Sequence, residues 1–424
     1  MEKPTGSLRR YIFVMVVSIG VLIANASLST VAAQGAVQGT DFGGPRWVAT
    51  WSVPPMKDGT AIGASRSFEN QTVRQIVYIS AGGSRVRVKL SNEYGNGALI
   101  IGSAHIAVQS TGASIVPQTD RTLKFNGRSS VVIPQGTVAL SDPINLAVPS
   151  NTSLAISLFV PQNTGPATYH QNATQTAYIS GPGDFSEAAV FPVQETQTSR
   201  YWLTFVEVLS PTRVAVLALF GDSVSEGATT TLDANRRATD DLSRWFNPRF
   251  LPPSMAMLDQ STGCGRLLMD FCGPSGVSRF QRDVLNASGI THVVLALGLG
   301  DIIFPTAAGD PSQLVSVEQI IAGIRQLIAQ ARVKGLKVYG ATISPNEGTT
   351  FPNVHTPENE AKRLAVNKWI RTTHELDGVA DYDLALRDPT HPARLLPAYA
   401  SADNLHPNDA GHEALARAIA LSLF

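Results

Sequence analysis

The sequence predicts an all-β domain, a sandwich or jelly roll, followed by an α/β domain built on a parallel, doubly wound sheet. Three observations carry this reading. From Trp47 to about Leu209, short segments alternate apolar and polar residues, with Gly, Asn, Pro or Ser between them. After Pro211 the apolar runs become continuous, as in strands covered on both faces. Stretches with helical apolar periodicity then separate those runs, so strand and helix alternate.

The β texture is clearest in "TVRQIVYIS", "SRVRVKLSNEYG" and "TSLAISLFV". No long helical periodicity interrupts it, which favours short antiparallel strands. The α/β part opens on "RVAVLALF" and continues with "THVVLAL" from Thr291. A helix is predicted from Ser316 to Lys334, with Ile320, Ile324, Leu327, Ile328 and Ala331 on one face. Ser316 suits an N-cap and Gly335 a stop. The strands "LKVYGATI" and "GVADYDLAL" (from Gly378) follow, with helices over about 358–374 and 408–423. In such sheets ligands bind beyond the carboxyl ends of the strands. Both Gly221-Asp222-Ser223 and Gly298-Leu299-Gly300-Asp301 lie just past such an end.

The start of the chain reads as an export signal. Arg9 and Arg10 precede an apolar stretch from Tyr11 to about Ile23, and "STVAAQ" puts small residues at Val31 and Ala33. The apolar core falls short of the roughly 20 residues that span a bilayer, so cleavage is expected rather than a stable membrane anchor. The expected organisation is a signal peptide over 1–33, a flexible lead-in over 34–46, the β domain over 47–210 and the α/β domain over 211–424. A secreted protein, extracellular or periplasmic, follows from it. Lys+Arg and Asp+Glu number 33 each, so no charge excess advertises a nucleic-acid partner or an anionic membrane surface. In an oxidising compartment Cys264 and Cys272 are expected to form a local disulfide. Nothing in the sequence fixes the oligomeric state.

Ser223 has two readings, since Ser and Asp are favoured wherever a strand turns into a helix. The second reading is a nucleophile, and it needs a base. Near the other terminus, "ADNLHPNDAGHEALARAI" sets Asp403 three residues before His406, ahead of a helix. A carboxylate so placed can hold Nδ1–H and leave Nε2 to take a serine proton. His412, on the helix, reads better as a satisfied structural histidine. A zinc site from His391, His406 and His412 lacks diagnostic spacing, so no metal is expected. Gly298-x-Gly300 lacks the third glycine of a dinucleotide fingerprint, Ile303 standing there, and no Gly-Lys-Ser/Thr phosphate loop is present. No cofactor is expected.

Together, Gly221-Asp222-Ser223 after the first α/β strand and Asp403-Asn404-Leu405-His406-Pro407 before the last helix resemble the SGNH, or GDSL-type, hydrolase family. Segments such as "WVATWS", "VRVKLSNEYG", "SRFQRDVL" and "LRDPTHPARLLPAY" are similar to its secreted two-domain branch with an N-terminal β domain. The resemblance implies a three-layer α/β/α, flavodoxin-like domain. It also implies acyl-ester hydrolysis with Ser223 as nucleophile, His406 as general base and Asp403 orienting it. The family's oxyanion hole implies donors at Ser223, at Cys264 and at position 300.

Two departures bear on that hole. Gly300 stands where the family has Asn, and Asp259 with Cys264 occupies the spacing of its Asn and Gly. Losing one oxyanion donor typically costs about 10²–10³ in turnover, so an Asn restored at 300 is expected to speed hydrolysis. The expected substrate is a small or polymer-borne carboxylic ester, an acylated carbohydrate being one example. The alternatives are a binding protein that kept the fold and lost turnover, and an acyltransferase using the same triad.

Overall fold

The computed structural model describes residues 44–57, 65–248 and 251–423. The signal peptide and nearly all of the lead-in expected from the sequence lie outside them. Residues 46–210 form antiparallel sheets. One runs, in spatial order, Arg46–Ser52, Leu203–Ser210, Gly83–Ser91 and Val138–Leu140, with Ile144–Val148 also paired to Gly83–Ser91. The other runs Val193–Gln197, Ala177–Pro182, Gln71–Ile79, Thr152–Val160, Ser103–Val108 and Arg121–Thr122. Alternation sets what faces inward. Leu154, Ile156 and Leu158 are fully buried with Val73, Val77, Val86 and Val88 in one core cluster that draws on both sheets.

The α/β part has five strands: β1 (Ala215–Gly221), β2 (Met255–Asp259), β3 (Ile290–Ala296), β4 (Lys337–Ala341) and β5 (Gly378–Ala380). They are parallel, in the order β2-β1-β3-β4-β5. This is the flavodoxin-like order, whose switch point lies between β1 and β3. Among its helices are α1 (Ser223–Glu226), α2 (Ala238–Phe246), α3 (Leu299–Ala307), α4 (Val317–Val333), α5 (Pro357–Thr372) and α6 (Asp409–Ser422). α2 packs on α6, while α5 packs on α3 and α4, leaving the sheet as the middle of three layers. The sheet's burial explains the apolar runs: Leu217 to Phe220 are all fully buried. Ser316 and Gln319 form a reciprocal capping box at the start of α4. The strand expected from Gly378 stops at Ala380, because Asp381 accepts the Leu384 N–H and opens a short helix, Tyr382–Leu386.

The two parts share one compact unit, Gly43–Phe424. The antiparallel part lies along β2, an edge of the parallel sheet. The Ser80 hydroxyl donates to the Met257 carbonyl at 3.1 Å and accepts the Met257 N–H at 2.9 Å. It takes the place of a neighbouring strand, so polar groups that would stand open on an edge are paired.

Candidate active site

Strand β1 ends at Gly221, and the chain turns at once into the single-turn helix α1. Asp222 makes that turn: its backbone is extended, and its carboxyl accepts the Val224 N–H at 3.0 Å. Capping falls to Asp222, so Ser223 is the first helical residue, with its hydroxyl available at the rim of the sheet. Gly227 closes the turn at φ 95°, a left-handed conformation that favours glycine.

The hydroxyl's partner comes from the far end of the chain. His406 Nε2 lies 2.8 Å from Ser223 Oγ, across 183 positions of sequence. Its Nδ1 lies 2.7 Å from Asp403 Oδ2. The loop is wound around this carboxylate: Asp403 Oδ1 accepts from the Ser401 hydroxyl at 2.7 Å and from the Leu405 and His406 N–H groups at 2.9 Å each. Burial opposes the charge on Asp403. The hydrogen bonds from the His406 side chain and backbone and from Leu405 outweigh it and hold the carboxyl well below its ordinary range. An ionised carboxylate only accepts, so Nδ1 carries the ring hydrogen and Nε2 presents a lone pair to the Ser223 O–H. Asp222, by contrast, is pushed up to about 7 by burial, against the opposing pull of the Val224 N–H and of nearby His406.

Ser223 and His406 open on a cleft of about 530 Å³, which Cys264 and Gly300 also line. The backbone N–H groups of Ser223, Cys264 and Gly300 make no backbone hydrogen bond among the described residues. Two of them are first-turn donors of α1 and α3, which helix geometry leaves over. One wall is apolar, with Ile303 beside the Phe271 and Phe304 rings, whose centroids are 4.7 Å apart. Gln171 and Asn172 of the antiparallel part line the same cleft.

Gly300 has a role that the sequence does not reveal. A Cβ there would stand 2.4 Å from the Gly265 carbonyl oxygen and 2.9 Å from the Phe304 ring. The loop at 263–266 thus closes onto α3 where the resemblance implies an asparagine. An Asn at 300 would therefore meet backbone where the sequence suggests only a restored donor. That loop is tethered at both ends. Asp301 accepts the Leu267 and Leu268 N–H groups at 2.6 and 3.0 Å, and Glu226 accepts the Gly263 N–H at 2.9 Å. Between the tethers Cys264 sits at φ 51°, in the left-handed region.

Cys264 and Cys272, expected to pair, stand side by side with their thiols unjoined. Both are free thiols, and their side chains are hydrogen-bonded to each other. That bond and burial together push the Cys272 thiol up. His412 lies on α6 as expected and is fully buried, but among the described residues neither ring nitrogen has a hydrogen-bond partner. Among the described residues, no group of three or more His, Cys, Asp or Glu could hold a metal ion, and no helix is long and apolar enough to cross a membrane.

Sequence reasoning missed Glu226, Asp301 and His170 as parts of this site. Glu226 stood in plain view, three residues after Ser223. His170 is one of two histidines in the β region, with no motif around it.

Residues 219–414 match the model of the GDSL-like lipase/acylhydrolase family. No curated protein matches the chain. Among solved structures, it is similar to a GDSL-like lipase from Bacteroides thetaiotaomicron, at 14% identity over 50% of this chain and 88% of that one, with a TM-score of 0.38. It is also similar to the aryl esterase of M. smegmatis, at 14% identity over 50% of this chain and 98% of that one, with a TM-score of 0.40.

Proposed function

We propose, from the match of residues 219–414 to the GDSL-like lipase/acylhydrolase family, that the chain hydrolyses carboxylic esters through an acyl-enzyme on Ser223. The observation that carries the reading is the unbroken contact from Asp403 through His406 to Ser223, with steps of 2.7 and 2.8 Å. Ser223 Oγ attacks the ester carbonyl while its proton passes to His406 Nε2, and ionised Asp403 stabilises the imidazolium. The oxyanion is received by the open N–H groups of Ser223, Cys264 and Gly300. The leaving alcohol takes the proton from Nε2, and a water molecule repeats the sequence to release the acid. The apolar wall suits an acyl group, and the amides of Gln171 and Asn172 suit a hydroxyl-rich alcohol such as an acylated sugar.

The test is hydrolysis of p-nitrophenyl acetate by purified protein, beside Ser223→Ala and His406→Ala. Each variant is expected to lower kcat by roughly 10⁶. Equal rates for parent and Ser223→Ala would instead support a binding protein that has kept the fold, a reading favoured by the absent asparagine at position 300.

Export of the chain, and closure of Cys264 with Cys272 outside the cell, belong to the same reading. The adjacency of the two thiols supports the second. Protein recovered from outside the cytoplasm should begin near Gln34, with both cysteines resistant to alkylation until reduced. An intact N-terminus or two reactive thiols would count against it.

A further inference from the structure

We propose that His170, a residue of the antiparallel part, is a positioning residue for ester hydrolysis, acting through Glu226 on the loop that carries the Cys264 N–H. The inference rests on the hydrolase reading above. It concerns a residue outside the triad and outside the family-matched segment.

His170 and Glu226 are both almost wholly buried, at 2% and 4% exposure, although Glu226 borders an open cleft. His170 Nε2 lies 3.2 Å from Glu226 Oε1. That same oxygen accepts the Gly263 N–H at 2.9 Å. On its other side, His170 Nδ1 lies 3.0 Å from the Pro54 carbonyl oxygen. A carbonyl can only accept, so Nδ1 carries a hydrogen. The imidazole is thus held at Nδ1 by the Pro54 carbonyl, with Nε2 set against the Glu226 oxygen that receives Gly263.

Fixing that oxygen fixes the loop. Gly263 immediately precedes Cys264, whose left-handed backbone, at φ 51°, turns its peptide within the cleft. Asp301 ties the chain again at Leu267 and Leu268, so Glu226 is the tether on the upstream side. Oxyanion donors work only when held at the right place before the charge develops. A slackened loop loses that preorganisation while leaving the substrate's ground-state contacts in place. The antiparallel part thus takes part in the chemistry through a buried side chain, besides contributing Gln171 and Asn172 to the cleft wall.

Two substitutions separate positioning from mere packing. His170→Asn keeps a donor near the place of Nδ1 and removes the arm that reaches Glu226, whereas His170→Gln keeps that arm. With p-nitrophenyl acetate, His170→Asn is expected to lower kcat by about 10- to 100-fold with KM within about threefold. The rate of Ser223 labelling by a fluorophosphonate should fall in parallel, and His170→Gln should recover most of both. Glu226→Gln, which keeps an acceptor for Gly263 N–H, should lose less than Glu226→Ala. Thermal unfolding of each variant normalises the rates to folded protein. An active parent whose His170→Asn and His170→Gln variants share its kcat, or differ from it only in KM, would overturn the inference and leave the hydrolase reading intact. A parent without Ser223-dependent turnover would overturn both.

Discussion

Gly300 is the residue whose meaning changes most between sequence and structure. As a letter, it reads as a missing amide. In space it is the point where the Gly265 carbonyl comes so close that a Cβ would lie 2.4 Å away. Gly300→Asn should therefore lose stability, by about 1–3 kcal/mol as for other overpacked sites. It should also lower kcat, because the loop carrying Cys264 has to move. A variant as stable as its parent and faster on p-nitrophenyl acetate would refute this account. Ser223, Asp403 and His406 are legible because each sits in a short motif at a helix entrance, where chemistry restricts the residue type. Gly300 misleads because sequence alignment reports side chains, and the decisive neighbour is backbone. His170 is invisible for a different reason: its contact with Glu226 joins two segments that no local pattern connects.

At the level of elements, the helices are readable where caps and periodicity agree. α4 is the example, since Ser316 both precedes an apolar face and forms a capping box with Gln319. The last strand comes out shorter than its sequence suggests because "GVADYDLAL" is apolar enough for either structure, and only the capping bond of Asp381 decides it. α3 escapes notice in the sequence although its first turn shapes the site, for its apolar run merges with the preceding strand. Asp301 in that turn holds two N–H groups of the neighbouring loop. Asp301→Asn replaces one acceptor oxygen by a donor facing an N–H, at a cost of about 1–3 kcal/mol for the unsatisfied pair. The denaturation midpoint should fall accordingly, and kcat should fall with it as the Cys264 loop loosens. A variant that loses stability but keeps kcat would detach this tether from catalysis.

For the whole molecule, buried ionisable groups set how stability depends on pH. Burial lowers His412 to about 3 from an ordinary 6.5, so between those values unfolding takes up a proton and stability falls as pH falls. Asp222 and Asp259 are raised from 3.8 to about 7 and about 6, in each case chiefly by burial. Their contribution is complete below about 3.8 and is lost as pH rises through those values, opposite in sign to that of His412. Removing the histidine isolates its part. His412→Leu should gain on its parent by up to about 1.4 kcal/mol for each pH unit below 6.5, read from urea midpoints across pH 4 to 8. A difference independent of pH would mean that the ring is charged, or reaches water, in the folded state.

The hydroxyl of Ser80, standing where a sixth strand would lie beside β2, has a practical consequence. A chain shortened to begin near Pro211 would present the flank of its sheet to the solvent as a template for self-association. It would also arrive without the histidine that braces its pocket. Such a fragment would be sticky and slow, and a bench trial of it would invite the belief that the missing half only binds substrate, when scaffolding had gone as well.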